Sequence, residues 1–215
     1  MQHQRLKIAL FGATGMIGSR IAAQAIERGH EVTALARQPR AIDGLPSLTV
    51  VAADLFDTAA SAAQIKGFDV IASAYAPPRD QPSKVVEATR ALVALAHAAG
   101  VKRLVAVGGA GSLEVAPGKQ LVDTEGFPDA YMPVALAHRE ALSFYRTVTD
   151  VDWTFFAPAA LIAPGTKTGA FRTGADTLIV DANGDSKISA EDYAVAFVDE
   201  IEAGRFVHRI ATVAY

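Results

Sequence analysis

The sequence predicts an α/β fold with a doubly wound parallel sheet and helices on both of its faces. Short apolar runs without polar alternation recur along the chain, and longer segments with helical spacing separate them. Such runs are typical of parallel strands that are buried on both faces. The chain has 215 residues, which suits one domain of this kind. A glycine-rich segment, 12–18, lies between the first strand and the first helix.

The first strands and helices are predicted from hydrophobic spacing and from residues that start or stop a helix. Apolar residues of the first helix recur toward one side, and Gly29 is placed to end it. Asp57 or Thr58 can cap the short second helix. In chain order, the predicted elements are a strand at 6–11, a helix at 16–28, strands at 31–36 and 48–52, and a helix at 58–65.

The middle of the chain continues the alternation of strand and helix. A long Ala-rich helix ends at Gly100, and the runs on either side of it are short and apolar. The predicted elements are a strand at 69–72, a helix at 83–99, a strand at 102–107, a helix at 134–149 and a strand at 153–156.

The composition changes after Pro158, since Pro and Gly become frequent up to Gly174. We interpret 1–215 as a single domain, with a core at 1–157 and a small substrate-side lobe at 158–215. The lobe is predicted to contain a strand at 177–180, a helix at 189–202 and a last strand at 206–213.

Composition and charge exclude several classes of protein. The chain has 20 Lys and Arg against 23 Asp and Glu, so no basic excess indicates a nucleic-acid or membrane partner. The absence of Cys excludes disulfides, thiolate metal sites and cysteine nucleophiles. No metal site is predicted, because His3, His30, His97, His138 and His208 lack ligand spacing. Without a signal peptide or a transmembrane segment, we expect a cytoplasmic monomer or homodimer that acts on a small molecule.

The segment Gly12-Ala13-Thr14-Gly15-Met16-Ile17-Gly18 is the strongest motif. Its glycines permit a tight turn and let a phosphate approach the backbone closely. The helix that follows offers unpaired amides and a favourable dipole to an anion. The motif therefore predicts nucleotide binding, while a glycine-rich turn without a ligand is the alternative. The predicted binding residues of this loop are Gly12, Thr14, Gly15, Met16, Ile17 and Gly18.

Three further segments agree with a resemblance to a known superfamily. Asp54-Leu55 follows the third strand, a Gly-Gly-Ala-Gly-Ser run at 108–112 follows the fifth, and Ile188-Ser189 opens the late helix. Together with the Gly-Ala-Thr-Gly-x-x-Gly motif, these three segments show that the chain, over essentially its whole length, resembles atypical and extended short-chain dehydrogenases/reductases. Within that superfamily it is similar to the NAD(P)H-binding, NmrA-like group, which includes NADH-flavin reductases and proteins like biliverdin reductase B. The resemblance implies a Rossmann-like fold and a nicotinamide coenzyme.

The end of the second strand bears on the choice of coenzyme. Proteins that prefer NAD commonly carry an acidic residue there, but this strand ends in Ala36-Arg37, with Arg40 close behind. Arg37 can form paired hydrogen bonds with a 2′-phosphate, so we predict NADPH, with NAD still possible. The alternative is that Arg37 is simply a solvated residue.

The resemblance also assigns residues at the carboxyl ends of the strands, where ligands of such sheets bind. The residues implied to contact the adenine, the ribose or the nicotinamide are Asp54, Leu55, Ser73, Ala74, Tyr75, Gly108 and Pro158. Many relatives use a Tyr-x-x-x-Lys pair, but no tyrosine of this chain is followed by Lys at the fourth position. Ser112, Tyr131 and His138 remain as catalytic candidates, each of which could instead be structural.

The missing pair favours an acceptor that delocalises incoming electrons, such as a flavin, a quinone or a bilin. We therefore predict an NADPH-dependent reductase. Two alternatives stay open: a regulator of the NmrA type that senses NADP without turnover, and an epimerase or dehydratase that acts on nucleotide sugars.

Overall fold

The structure, a computed structural model, describes residues 4–42 and 44–215. Its strands are β1 (Lys7–Phe11), β2 (Glu31–Ala36), β3 (Thr49–Ala52), β4 (Val70–Ser73), β5 (Arg103–Val107), β6 (Glu114–Ala116), β7 (Lys119–Gln120), β8 (Asp152–Ala157), β9 (Leu161–Ala163), β10 (Arg172–Ala175), β11 (Lys187–Ser189) and β12 (Arg209–Ala214). Its α-helices are α1 (Met16–Glu27), α2 (Thr58–Gln64), α3 (Lys84–Ala99), α4 (Met132–Tyr145) and α5 (Ala190–Ala203).

An eight-stranded sheet forms the centre of the described part of the chain, in the order β10-β12-β8-β5-β4-β1-β2-β3. All neighbouring strands are parallel except β10 and β12, which pair antiparallel. The chain winds outward from β1 in one direction and from β4 in the other, so the order reverses between these two strands. Ligands of such sheets bind at this reversal, outside the carboxyl ends of the strands.

The two faces of the sheet bury separate hydrophobic cores, because side chains alternate along each strand. In β1, Ile8 and Leu10 pack under α1 and α5, whereas Ala9 and Phe11 pack under α2, α3 and α4. Helices on both faces confirm the predicted doubly wound α/β class.

Several predicted helix ends are also confirmed, whereas the helix predicted at 134–149 begins and ends earlier, since α4 spans Met132–Tyr145. Gly29 and Gly100 adopt positive φ directly after α1 and α3, and the Asp57 side chain accepts a hydrogen bond of 3.2 Å from the Ala60 amide at the start of α2. Ser189 caps α5 by accepting a hydrogen bond of 3.0 Å from the Asp192 amide.

The region after residue 157 differs most from expectation. The predicted strand at 177–180 is wrong, since only Thr177 forms an isolated bridge there, with Glu114. The sequence missed β9, β10 and β11, because β9 and β11 are only three residues long and β10, Arg-Thr-Gly-Ala, has no apolar run. β10 and β12 extend the main sheet, so only β9 and β11 form a small sheet of their own.

A buried ion pair joins α5 to the amino ends of β5 and β8. Glu200 is only 3% exposed and accepts hydrogen bonds from the Arg103 guanidinium at 2.7 Å and from the Arg205 and Phe206 amides at 3.0 and 3.1 Å. The Thr154 hydroxyl also contacts it at 2.9 Å. Removal of either partner would leave the other charge buried and unpaired, which is unfavourable. The network therefore holds α5 against the sheet.

We predict that Glu200→Ala lowers the free energy of unfolding by about 3–5 kcal/mol, because Arg103 and two amides lose their acceptor. Urea unfolding followed by circular dichroism measures this. The exposed Glu140→Ala is the control and should stay within about 0.5 kcal/mol of the unmodified protein. Equal stability of the two variants would contradict the prediction.

Candidate functional site

A cleft of about 670 Å³ opens at the carboxyl ends of β1 to β4, at the point where the strand order reverses. Its lining comes from the turn after each of these strands. The lining residues are Phe11 to Gly15, Leu35 to Gln38, Arg40, Ala53 to Phe56, and Ala74 to Ala76. The cleft thus brings together eight of the predicted binding residues, namely Gly12, Thr14, Gly15, Arg37, Asp54, Leu55, Ala74 and Tyr75.

Two glycines of the turn after β1 are required by the packing of the chain itself. Gly12 has φ +79°, and a Cβ at this residue would lie 2.4 Å from the carbonyl oxygen of Ala74. A Cβ on Gly18 would lie 2.1 Å from the carbonyl oxygen of Gly12, so α1 contacts the turn through bare backbone. These contacts hold the turn between β4 and α1.

Gly15 has a different environment. The nearest atom to a Cβ placed there is the Gly12 carbonyl oxygen at 3.5 Å, an ordinary contact distance. The chain therefore has room for a side chain at this residue, which lines the cleft. The bare backbone here leaves space in the cleft for a ligand such as a phosphate to approach it.

The first turn of α1 suits an anion. Gly15 is its N-cap and supplies no side-chain hydrogen bond, and the turn holds no acidic residue. The first amides of any helix lack intrahelical partners, and its dipole favours negative charge at this end. Met16, Ile17 and Gly18 stand at the start of this helix, outside the lining of the cleft. Their backbone amides are the groups that could hold a phosphate.

Two arginines line the cleft just beyond β2. Arg37 and Arg40 are both exposed, and neither forms an ion pair with any residue in 4–42 or 44–215. The neighbouring Gln38, which the sequence reasoning missed, also lines the cleft. Unpaired guanidinium groups beside a helix N-terminus make this end of the cleft electropositive.

The turn after β3 supplies the opposite wall. Asp54 Oδ1 accepts a hydrogen bond of 3.0 Å from the Phe56 amide, which fixes the turn, and Leu55 is buried beneath it. The Phe56 ring, 40% exposed, meets Tyr75 edge to face with centroids 5.9 Å apart. Burial raises the pKa of Tyr75, although the positive charges of Lys84 and Arg37 oppose this shift. Phe56 was missed because an aromatic residue in a loop has no periodic signal.

Besides Met16, Ile17 and Gly18, three more of the predicted binding residues lie outside this cleft. Ser73 is buried, and its Oγ accepts a hydrogen bond of 3.3 Å from the Tyr75 amide. A Cβ on Gly108 would lie 2.2 Å from the Phe155 ring, so this glycine is required by packing. Pro158 is buried after β8. A role for these residues toward the nicotinamide stays a prediction.

The three catalytic candidates do not converge on the cleft either. Ser112 is 3% exposed, and its hydroxyl is enclosed without a hydrogen-bond partner in the described chain. Tyr131 is 56% exposed, directly before α4. His138 is partly buried: its ring packs against Gly109, and its Nδ1 is enclosed. Burial lowers the pKa of His138 to about 4, so the ring is neutral at pH 7.

Metal and membrane sites were also sought in the described residues. Within 4–42 and 44–215, no three His, Asp or Glu side chains are arranged to hold a metal ion. His3 lies outside the described residues. None of the helices in that part of the chain is both long and apolar enough to cross a bilayer.

Comparison with known proteins shows the family to which this chain belongs. A family model described as NAD(P)H-binding matches residues 12–203. YwnB, an uncharacterized protein of Bacillus subtilis (strain 168), is 40% identical over 200 residues, which cover 92% of each chain.

Solved structures agree in fold over nearly the whole chain. A "putative exported protein" from Burkholderia pseudomallei is 68% identical, with a TM-score of 0.92 over 98% of this chain and 100% of that one. A "putative epimerase" from Bacteroides thetaiotaomicron is 39% identical, with a TM-score of 0.89 over 99% and 98% of the two chains. A "putative NADH-flavin reductase" from Streptococcus pneumoniae TIGR4 is 31% identical, with a TM-score of 0.89 over 97% and 99%. The resemblance inferred from the glycine motif is confirmed, and the chain belongs to the NAD(P)H-binding family.

Proposed function

We propose that this protein is an NADPH-dependent reductase that passes a hydride to a conjugated acceptor such as a flavin, a quinone or a bilin. The observation that carries the proposal is the 670 Å³ cleft, which joins the open backbone at Gly15 to the unpaired Arg37. The backbone near Gly15 suits a pyrophosphate, and the Arg37 guanidinium suits a 2′-phosphate.

The residues of the cleft suit the adenosine half of the coenzyme. The amides at the start of α1 would hold the pyrophosphate, and Arg37 with Arg40 would pair with the 2′-phosphate. The Phe56 and Tyr75 rings offer an apolar wall for the adenine, beside Asp54 as a hydrogen-bond acceptor. NAD would use the same turn but would leave the two guanidinium groups without a partner.

The rim around the cleft favours a flat, apolar acceptor. Three exposed side chains lie where the chain leaves or re-enters the carboxyl edge of the sheet: Met16 is the first residue of α1, Tyr131 precedes α4, and Leu161 is the first residue of β9. When bound, a reduced nicotinamide supplies the hydride. A conjugated acceptor takes its proton from water, so the residues of the chain need only position it and exclude solvent.

Two other functions are weighed against this one. The Bacteroides relative is called an epimerase, but this chain lacks the Tyr-x-x-x-Lys pair expected for chemistry on sugar hydroxyls. The NmrA-type sensor, which binds NADP without turnover, is favoured by the enclosed Ser112 hydroxyl and the neutral His138.

We retain a cytoplasmic monomer or homodimer with a small-molecule substrate, and no nucleic-acid or membrane partner, as predictions.

We predict that the protein oxidises NADPH when FMN or a quinone is added, and that aliphatic ketones are turned over at least about 100-fold more slowly, because the chain lacks the Tyr-x-x-x-Lys pair that many relatives use to protonate an alkoxide. Absorbance of the reduced coenzyme measures the rate. Tight NADPH binding without turnover of any acceptor would favour the sensor, and preferential ketone reduction would contradict the proposed acceptor class.

We predict that Arg37→Ala raises the KM for NADPH by about tenfold or more and that for NADH less than about twofold, since only NADPH carries the phosphate that Arg37 binds. Steady-state kinetics with both coenzymes measures the difference. Arg79→Ala, at an exposed arginine outside the cleft, is the matched control. An equal effect of Arg37→Ala on both coenzymes would remove the assignment.

We predict that Gly15→Ala keeps the stability of the parent protein but weakens NADPH binding by about tenfold or more, because the new methyl group enters the cleft and not the core. Gly18→Ala is the opposite case and should lower the melting temperature by several degrees, because its Cβ meets the Gly12 carbonyl. Calorimetric titration and thermal unfolding separate the two effects. A Gly15→Ala variant that binds NADPH normally would show that the coenzyme does not contact this turn.

A further inference from the structure

A second, much smaller cavity lies beside the cleft, between the sheet and the helices α3 and α4. Its volume is about 20 Å³, and its walls include Ser73, Thr89, His138 and Tyr145. Tyr75 lines both the cleft and this inner cavity, so this residue forms part of the wall between them. The inner cavity therefore adjoins the proposed coenzyme site without being part of it.

Two polar atoms on the walls of the inner cavity lack a partner in the protein. His138 Nδ1 and the Tyr145 hydroxyl are both enclosed, and neither makes a hydrogen bond of normal geometry within residues 4–42 or 44–215. The Thr89 side chain, on the same cavity wall, lies close to the Tyr145 hydroxyl and opposes the rise in the Tyr145 pKa that burial causes. Buried polar groups are paired in the great majority of cases, and an unpaired one is costly. Two such atoms on one cavity indicate a common partner.

The rings that carry these atoms cannot readily turn to find other partners. Tyr145 stacks on Trp153 with ring centroids 5.3 Å apart and meets the edge of Phe155 at 6.2 Å. His138 packs edge to face on Phe155 at 5.9 Å, and its ring lies against Gly109. The pairing must therefore be made within the inner cavity.

The size and the chemistry of the inner cavity suit one water molecule. A water needs roughly 10–15 Å³ of such space and two to four polar partners. The Thr89 hydroxyl, which already donates to the Val85 carbonyl at 2.9 Å, keeps lone pairs that can accept a further hydrogen bond. His138 Nδ1 can accept from a water, and the Tyr145 hydroxyl can donate to it.

We propose that the inner cavity binds one water, which donates to His138 Nδ1 and accepts from the Tyr145 hydroxyl, and that this bridge keeps the imidazole proton on Nε2. Nε2, unlike Nδ1, is not among the enclosed atoms that lack a partner. Tyr145 is then a positioning residue: it acts through the water and orients His138 as a neutral N–H donor. Burial agrees with this role, since it keeps His138 uncharged near neutral pH.

The consequence for catalysis rests on the proposed function. If the protein is a reductase, a fixed Nε2–H can hydrogen bond to the coenzyme or to the acceptor beside the rim loop that contains Gly109. A histidine that exchanges its proton between the two nitrogens would offer that donor only part of the time.

The tautomer of His138 tests the proposal without any turnover. Long-range proton–nitrogen NMR spectra of the free, ¹⁵N-histidine-labelled protein between about pH 6 and 8 show which ring nitrogen is protonated. We expect the proton on Nε2 in the parent protein and a mixture of tautomers in Tyr145→Phe. Tyr193→Phe removes the hydroxyl of another buried tyrosine, which donates to the Phe156 carbonyl at 2.6 Å, and should leave the His138 signal unchanged. A proton on Nδ1, or no change in Tyr145→Phe, would overturn the proposal.

Two further measurements complete the test. A crystal structure of the parent protein at atomic resolution should show one ordered water between His138 Nδ1 and the Tyr145 hydroxyl, and a direct bond between the two side chains would contradict the bridge. With NADPH and FMN, Tyr145→Phe should lower kcat by about tenfold and leave the KM for NADPH within about twofold. An unchanged kcat with a changed tautomer would reject the positioning role while the water site stands. Absence of turnover in the parent protein would count against the proposed function alone.

Discussion

The site depends on one close approach of backbone to backbone. The turn after β1 lies so near the residues that follow β4 that Gly12 has no room for a Cβ, and α1 presses on the same turn through Gly18. These contacts fix where α1 begins and leave its first amides at the mouth of the cleft. The cleft is therefore a consequence of how two parallel strands and one helix meet, and these contacts hold the turn in one conformation. A turn held in this way needs less ordering when a ligand binds.

Charged side chains are used differently at the two edges of the sheet. At the amino edge, Arg103 pairs with the buried Glu200, and Arg28 pairs with Asp199 at 2.6 Å, so both guanidinium groups hold α5 in place. At the carboxyl edge, Arg37 and Arg40 have no ion-pair partner among residues 4–42 and 44–215. A guanidinium that is not needed for folding is free to meet an anion from solution, and the cleft beside these two arginines is where a phosphate would arrive.

The sequence predicted the core of the fold because its strands and helices carry strong local signals: unbroken apolar runs, helical spacing, and Gly29, Asp57 and Gly100 at helix ends. The same reasoning predicted eight of the residues that line the cleft, since each lies in the turn that follows a strand. It failed where the structure depends on long-range pairing. β10 is stabilised by its pairing with β12, and Phe56 gains its place from contact with Tyr75, which no local pattern encodes. The local sequence likewise did not predict that the Ser112 hydroxyl and His138 Nδ1 are enclosed, because neither a short loop nor one helical turn shows which residues pack over it.

The burial of these two candidates bears on the kind of chemistry that the site can support. A reaction that needs a strong side-chain acid requires a group with a pKa near neutrality at the surface of the cleft. Here the Ser112 hydroxyl is enclosed, and His138 is held neutral by its surroundings, with a pKa of about 4. Under the proposed function, exposed side chains such as Met16, Tyr131 and Leu161 would hold a planar acceptor against the coenzyme, which carries the difficult step. The scarcity of acid–base groups thus argues for a reaction in which placement, and not proton transfer by the protein, limits the rate.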